Sequence, residues 1–177
     1  MLFFLDAIPY ITIFIFGITI GSFLNVCIYR LPLGESVVTA PSHCMTCGRK
    51  LRWYDMVPVF SWLVLGGKCR NCKSKISVQY PIIEGVNGIL YVVIFAVNGL
   101  VWSSVIYCLM ASALLVLSVI DWRTYEIPFG INVFLFVLGV AMAVLDRGNL
   151  VEHLIGMVCV SAGDSLSGEW WRSNRRG

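Results

Sequence analysis

Four cysteines in two C-x-x-C pairs are the first residues whose spacing can do chemistry. They lie in His43-Cys44-Met45-Thr46-Cys47-Gly48 and Cys69-Arg70-Asn71-Cys72-Lys73, with 21 residues between the pairs. Two such knuckles offer four thiolates (Cys44, Cys47, Cys69 and Cys72) to one tetrahedral Zn²⁺. Gly48 suits the tight turn after the first pair, and basic neighbours favour thiolate over thiol. A site closed by four cysteine ligands is structural rather than catalytic. Two disulfides or a set of redox thiols are the competing readings, and His43 is a further candidate ligand made awkward by adjoining Cys44.

The second candidate is a lone acid. Asp121 lies in VLSVIDWRTYEIP, directly after a run from Gly85 to Ile120 that carries no charge. A carboxylate within hydrocarbon costs about 2.5–3.5 kcal/mol on insertion scales, so such groups are usually functional and partnered. The plainer reading is a helix-end acid that reaches water, with Arg123 or Glu126 completing a charged turn.

The elements that must position these residues follow from composition. Of 177 residues, 58% are apolar and 13% charged, against roughly 45–50% and 25% in a soluble domain. The sequence predicts an integral membrane protein. Ala7 to Tyr29 is free of charge and exceeds the ~20 residues that cross a bilayer. A secretory signal would need basic residues ahead of this run, and MLFFLD has none. The Gly85–Ile120 run is too long for one crossing, and Asn98-Gly99 supplies a turn between spans near 82–98 and 100–120. A fourth span is expected at about 127–145, closed by Asp146-Arg147-Gly148-Asn149. Beyond it, the ten residues between His153 and Asp164 amount to about half a fifth crossing.

Eight Lys or Arg lie between Arg30 and Lys75, against two acids, Glu35 and Asp55. Basic loops stay in the cytoplasm, which also receives Asp121. The cytosol is reducing, so zinc is favoured over disulfides. The same charges attract anionic lipid. Binding of nucleic acid is set aside because the basic residues already have a topological explanation. Leu51–Gly67 is expected to form an apolar lobe on the membrane, with Trp53, Phe60 and Trp62 as interface anchors. Cys27, Cys108 and Cys159 read as small core residues.

The expected fold is an all-α membrane protein, a polytopic bundle of four to five transmembrane helices with a cytoplasmic zinc-binding lobe. The segments are a first span (1–30), the lobe (31–80), an incomplete membrane catalytic domain (81–164) and an atypical basic tail (165–177).

Several motifs together carry a resemblance: Gly21-Ser22-Phe23-Leu24-Asn25-Val26, Tyr29-Arg30-Leu31-Pro32, the paired knuckles, Trp53-Tyr54-Asp55-Met56-Val57-Pro58, Tyr80-Pro81-Ile82-Ile83-Glu84, and Ile120-Asp121-Trp122-Arg123 followed by Ile127-Pro128. In order and spacing, over about residues 8–145, the chain resembles the bacterial type IV prepilin peptidases. The resemblance implies a multi-pass inner-membrane aspartic endopeptidase. It would cut the leaders of type IV prepilins or type II secretion pseudopilins after a Gly. Many members also methylate the new amino terminus with S-adenosylmethionine. Asp121 takes the position of the first catalytic aspartate.

The second aspartate of the family sits in a G-x-G-D motif followed by Lys. Here Ser161-Ala162-Gly163-Asp164-Ser165-Leu166 keeps Gly-Asp but lacks the upstream Gly and the Lys, and Asp164 lies 43 residues beyond Asp121. Asp164 is the candidate partner, with Glu126 and Asp55 as weaker ones. The tail is expected to be truncated. Trp is encoded only by TGG, so a one-base slip across Trp170-Trp171-Arg172 reads Gly-Gly, and the residues from Gly168 onward read as a frame-shifted relic of the Gly-rich motif. The encoding DNA tests this.

Overall fold

The computed structural model describes residues 2–38, 42–125 and 128–145. Asp164, Glu126, Cys159, the Asp146–Asn149 turn, the fifth apolar segment and the 165–177 tail lie outside the described residues. The described chain is helical: α1 (Leu2–Arg30), α2 (Phe60–Val64), α3 (Gln79–Asn98), α4 (Trp102–Thr124) and α5 (Phe129–Leu145), with no strand. Three helical stretches are long and apolar enough to cross a membrane: Ala7–Leu33, Gln79–Asn98 and Trp102–Thr124. The 17-residue α5 is at the short end of the spanning range. The chain is a multi-pass membrane protein with an all-α bundle.

The boundaries have local causes. α1 gives way to a 3₁₀ turn at Leu31–Leu33, where Pro32 removes a donor, and Gly34 closes it in the left-handed region (φ 67°). α3 ends at Asn98-Gly99, as the sequence predicts. Ser104, fully buried, donates to the Gly99 carbonyl at 2.7 Å and fixes the tight link into α4. Both α3 and α4 extend past the apolar runs from which their limits are expected, to Gln79 at one end and Thr124 at the other. The physical reason is that backbone groups at the edge of hydrocarbon need intrahelical partners whatever their side chains. Asp121 consequently lies within the last turn of α4.

Two compact units divide the chain after Phe136. In the first, α1 and α3 approach through glycine. Gly17 and Gly21 form a G-x-x-x-G stripe on α1. A Cβ on Gly17 would stand 2.8 Å from the Gly88 Cα, and one on Gly21 would stand 2.7 Å from the Glu84 Cα. Such a stripe lets helix backbones touch where lipid supplies no hydrophobic drive. Polar side chains then link the helices. The Asn87 amide of α3 donates to the Gly17 carbonyl at 2.8 Å, and Ser112 of α4 donates to Asn87 at 2.9 Å. Tyr91 and Ser112 share a further hydrogen bond of 3.0 Å. Leu24, Ile28, Ile83, Val116, Ile120 and Ile131 are the apolar core of this unit. In the second unit, the described residues 137–145 continue α5, with Leu138 and Met142 buried.

Candidate functional site

The lobe between α1 and α3 is built around its cysteines. Each C-x-x-C pair sits in a loop closed by one antiparallel bridge, His43 with Lys50 and Lys68 with Lys75. In each loop the residue after the second cysteine returns its N–H to the first cysteine's carbonyl: Gly48 to Cys44 at 2.9 Å and Lys73 to Cys69 at 3.0 Å. Both positions are left-handed, with φ 68° at Gly48 and 57° at Lys73. The first suits glycine, and the second strains a lysine.

The two loops bring all four sulfurs within 4.8 Å of one another, without His43. Tetrahedral zinc with Zn–S bonds of about 2.3 Å requires S···S edges of about 3.8 Å. The Cys44–Cys72 separation is 3.8 Å and no edge exceeds 4.8 Å, so the donor set fits a tetrahedral ion once its longer edges close by at most about 1 Å. Electrostatics agree. Backbone N–H groups of Cys47 and Thr46, rather than the basic side chains, pull the Cys44 thiol down to about 6. Ser74 lowers Cys72 through its hydroxyl and its backbone. At Cys69 the N–H groups of Cys72 and Asn71 pull down, but burial and hydrogen bonds with Cys44 and Cys72 push up, and the net shift is upward. Clustered thiolates oppose one another's ionisation, which a divalent cation relieves. Asn71 ties the loops, accepting from Arg49 at 3.0 Å and donating to the Cys47 sulfur at 3.8 Å. Partners of this kind orient ligands.

Asp55 is engaged elsewhere in the lobe. It accepts from Arg70, between the second pair of cysteines, at 2.8 Å. Trp62, expected as an interface anchor, is half-buried and also has partners within the lobe. Its N–H donates to the Ile76 carbonyl at 3.3 Å and its ring lies against Gly67, where an added Cβ would stand 2.8 Å away. Phe60, the other described anchor, is exposed as expected.

Asp121 occupies an exposed position beside Ile120, which is fully buried. Its carbonyl accepts the Tyr125 N–H at 2.9 Å, and Tyr125 ends α4 in the left-handed region (φ 54°). Two residues on, the Arg123 guanidinium lies 4.4 Å from the Tyr29 ring centre, and Tyr29 stacks on Tyr80 at 5.7 Å. This stack pins the end of α4 to the end of α1 and the start of α3, fixing the turn that carries Asp121.

Two further groups stand in motifs quoted above but have no role assigned from sequence. Glu84 is buried within α3 and accepts the Val59 N–H at 2.6 Å. Asn25 is also buried and donates to the Tyr80 carbonyl at 3.2 Å. The available signal for Glu84 was its position three residues after Pro81 inside a run otherwise apolar enough to span, since ionisable residues there are seldom idle.

The bundle and its lobe define a class, the multi-pass membrane proteins with an inserted lobe whose four cysteines could hold a metal ion. Comparison narrows this class. Residues 15–98 match the bacterial peptidase A24 N-terminal domain, and residues 108–163 match the type IV leader peptidase family. The chain belongs to the type IV prepilin leader peptidase family. It is 37% identical, over 74% of its length, to the prepilin leader peptidase/N-methyltransferase of Myxococcus xanthus, covering 39% of that protein. It is 35% identical, over 63% of its length, to the type 4 prepilin-like proteins leader peptide-processing enzyme of Escherichia coli, covering 48% of that protein. It is 34% identical, over 70% of its length, to the prepilin leader peptidase/N-methyltransferase of Xanthomonas campestris, covering 51% of that protein. The chain thus spans about two-fifths to one half of the curated relatives it matches. No solved structure matches it.

Proposed function

We propose that the chain is a prepilin-processing membrane peptidase. It would lie in the bacterial inner membrane with its lobe in the cytoplasm and hydrolyse the bond after a Gly in type IV prepilins or type II secretion pseudopilins. What supports this most is that Asp121, on the last turn of a membrane helix, falls inside the match to the leader peptidase family. An acid at that depth meets a leader junction whose apolar helix is still in the bilayer.

The mechanism proposed is aspartic. Two adjacent carboxylates do not both ionise cheaply, so one holds a proton while the other is a base. The base takes a proton from water as its oxygen attacks the scissile carbonyl carbon, and the protonated acid donates to the carbonyl oxygen. Asp121 is one of the pair, and Asp164, the residue directly after the end of the same match, is the candidate for the other. The four cysteines would hold Zn²⁺ as a structural ion. Methyl transfer from S-adenosylmethionine to the new amino terminus is supported only by the names of relatives.

The departure of Ser161-Ala162-Gly163-Asp164 from G-x-G-D favours a second reading, an inactive remnant or a non-enzymatic membrane scaffold. Co-expression with a prepilin, and with its Gly-to-Ala junction variant, separates the two. The peptidase reading expects cleavage of the Gly substrate alone, lost in both Asp121→Asn and Asp164→Asn. Cleavage surviving in Asp164→Asn discards that residue as the second acid. Cleavage absent from the unmodified chain leaves the scaffold.

A further inference from the structure

We propose that α2 is an interfacial helix whose outer face lies in the lobe-side leaflet of the bilayer, held at that depth by Glu84. Phe60, Leu63 and Val64 stand at i, i+3 and i+4, one face of the helix. They are 63%, 60% and 80% exposed. The neighbouring Trp62 is turned the other way, onto Gly67 and the Ile76 carbonyl. The helix therefore has an inner side that belongs to the lobe and an outer side of large apolar groups.

Glu84 decides what covers that outer side. Val59, immediately before α2, donates its N–H to the Glu84 carboxylate at 2.6 Å, and Glu84 is buried. Glu84 lies five residues into α3, about 7.5 Å along the helix axis from its start. On α3, Ile82 and Val86 bracket this level and are exposed, so they face lipid wherever α3 spans. The start of α2 is thereby tied to the height of lipid-facing side chains. Val59 also adopts φ 59°, a conformation that a β-branched residue avoids unless its surroundings impose it. Lys68, four residues after the end of α2, bridges through its backbone to Lys75, so the segment that follows the helix carries two cations of the kind that anionic headgroups attract. A second copy of the chain or a substrate helix would need no such tie to the depth of α3.

The test places p-benzoylphenylalanine singly at Phe60, Leu63 or Val64 in the full chain, in nanodiscs of phosphatidylethanolamine and phosphatidylglycerol. Ile89, on the exposed side of α3, is the intramembrane reference, and Met45 in the first knuckle is the aqueous one. After photolysis, intact mass reports the partner. Phospholipid adducts at all three positions, comparable with Ile89 and several-fold above Met45, are expected. Protein adducts at these positions, or none while Ile89 still captures lipid, overturn the proposal. Glu84→Ala should lower the Phe60 lipid adduct several-fold, whereas Glu84→Gln, whose amide oxygen accepts the same N–H, should keep it. An unchanged adduct in Glu84→Ala overturns the role of Glu84.

Discussion

Replacing Gly21 with alanine tests the packing on which the first unit depends. The new Cβ would stand 2.7 Å from the Glu84 Cα, 3.2 Å from its carbonyl oxygen and 3.3 Å from the Asn87 Cβ. The nearest atoms are backbone, so no side-chain rotation relieves the clash. Carbon atoms sit comfortably at about 3.5–4.0 Å, and α1 and α3 must therefore part by roughly 1 Å. That separation breaks the Asn87–Gly17 hydrogen bond (2.8 Å) and the Asn25–Tyr80 hydrogen bond (3.2 Å). Overpacking costs about 1–3 kcal/mol, and two interhelical hydrogen bonds at about 0.6 kcal/mol each bring the loss to about 2–4 kcal/mol. Gly85, the residue after Glu84, faces open space. Gly85→Ala should stabilise by up to about 1 kcal/mol through helix propensity alone. Unfolding in mixed micelles by dodecyl sulfate titration, followed by circular dichroism, measures both. The propensity gain is common to both substitutions, so Gly21→Ala should be less stable than Gly85→Ala by about 2–4 kcal/mol, and a gap below about 1 kcal/mol would refute the close-packing argument. Gly88→Ala should fall between them, because its Cβ would meet the Ile18 methyl and the Phe14 ring, which can turn aside.

Three further outcomes are expected. Cys44→Ser should reduce bound zinc from about one per chain to a small fraction, measured by plasma mass spectrometry, and expose the 42–78 lobe to limited proteolysis, because structural zinc contributes folding energy outright. Lys73→Gly should leave zinc content unchanged and stabilise the lobe by about 1 kcal/mol, read as slower chelator-induced unfolding, since φ 57° strains a lysine. Arg123→Ala should destabilise the bundle by about 0.5–2 kcal/mol in the same titration, with Arg123→Lys only partly restoring it and Tyr29→Leu non-additive with it.

Much of the candidate site is legible in one dimension. The C-x-x-C spacing announces the metal lobe because the backbone that closes a knuckle is local, running from Cys44 to Gly48 and from Cys69 to Lys73. The charge-free runs announce the spans because the bilayer imposes a length, and Asn98-Gly99 announces their turn. Helix limits were less legible. Backbone hydrogen bonding carries α4 through Thr124, past the end of the uncharged run at Ile120, so Asp121 lies inside a helix whose span hydropathy ends one residue earlier.

Trp62 shows where such reading stops. Its type and neighbourhood fit an interface anchor, but that the Ile76 carbonyl and Gly67 stand against its ring is visible only in three dimensions. Glu84 is similar: sequence marks an acid near the start of a span, but its partner is Val59, 25 residues earlier. The stack of Arg123, Tyr29 and Tyr80 draws on three helices and has no signature along the chain. Sequence by itself determined what depends on neighbouring residues or on the solvent, which are the knuckles, the spans and the lone acid. Tertiary structure decided which side chains meet across helices, because those contacts depend on how closely α1 and α3 approach, and that distance is set by glycines 63 to 74 residues from the atoms they touch.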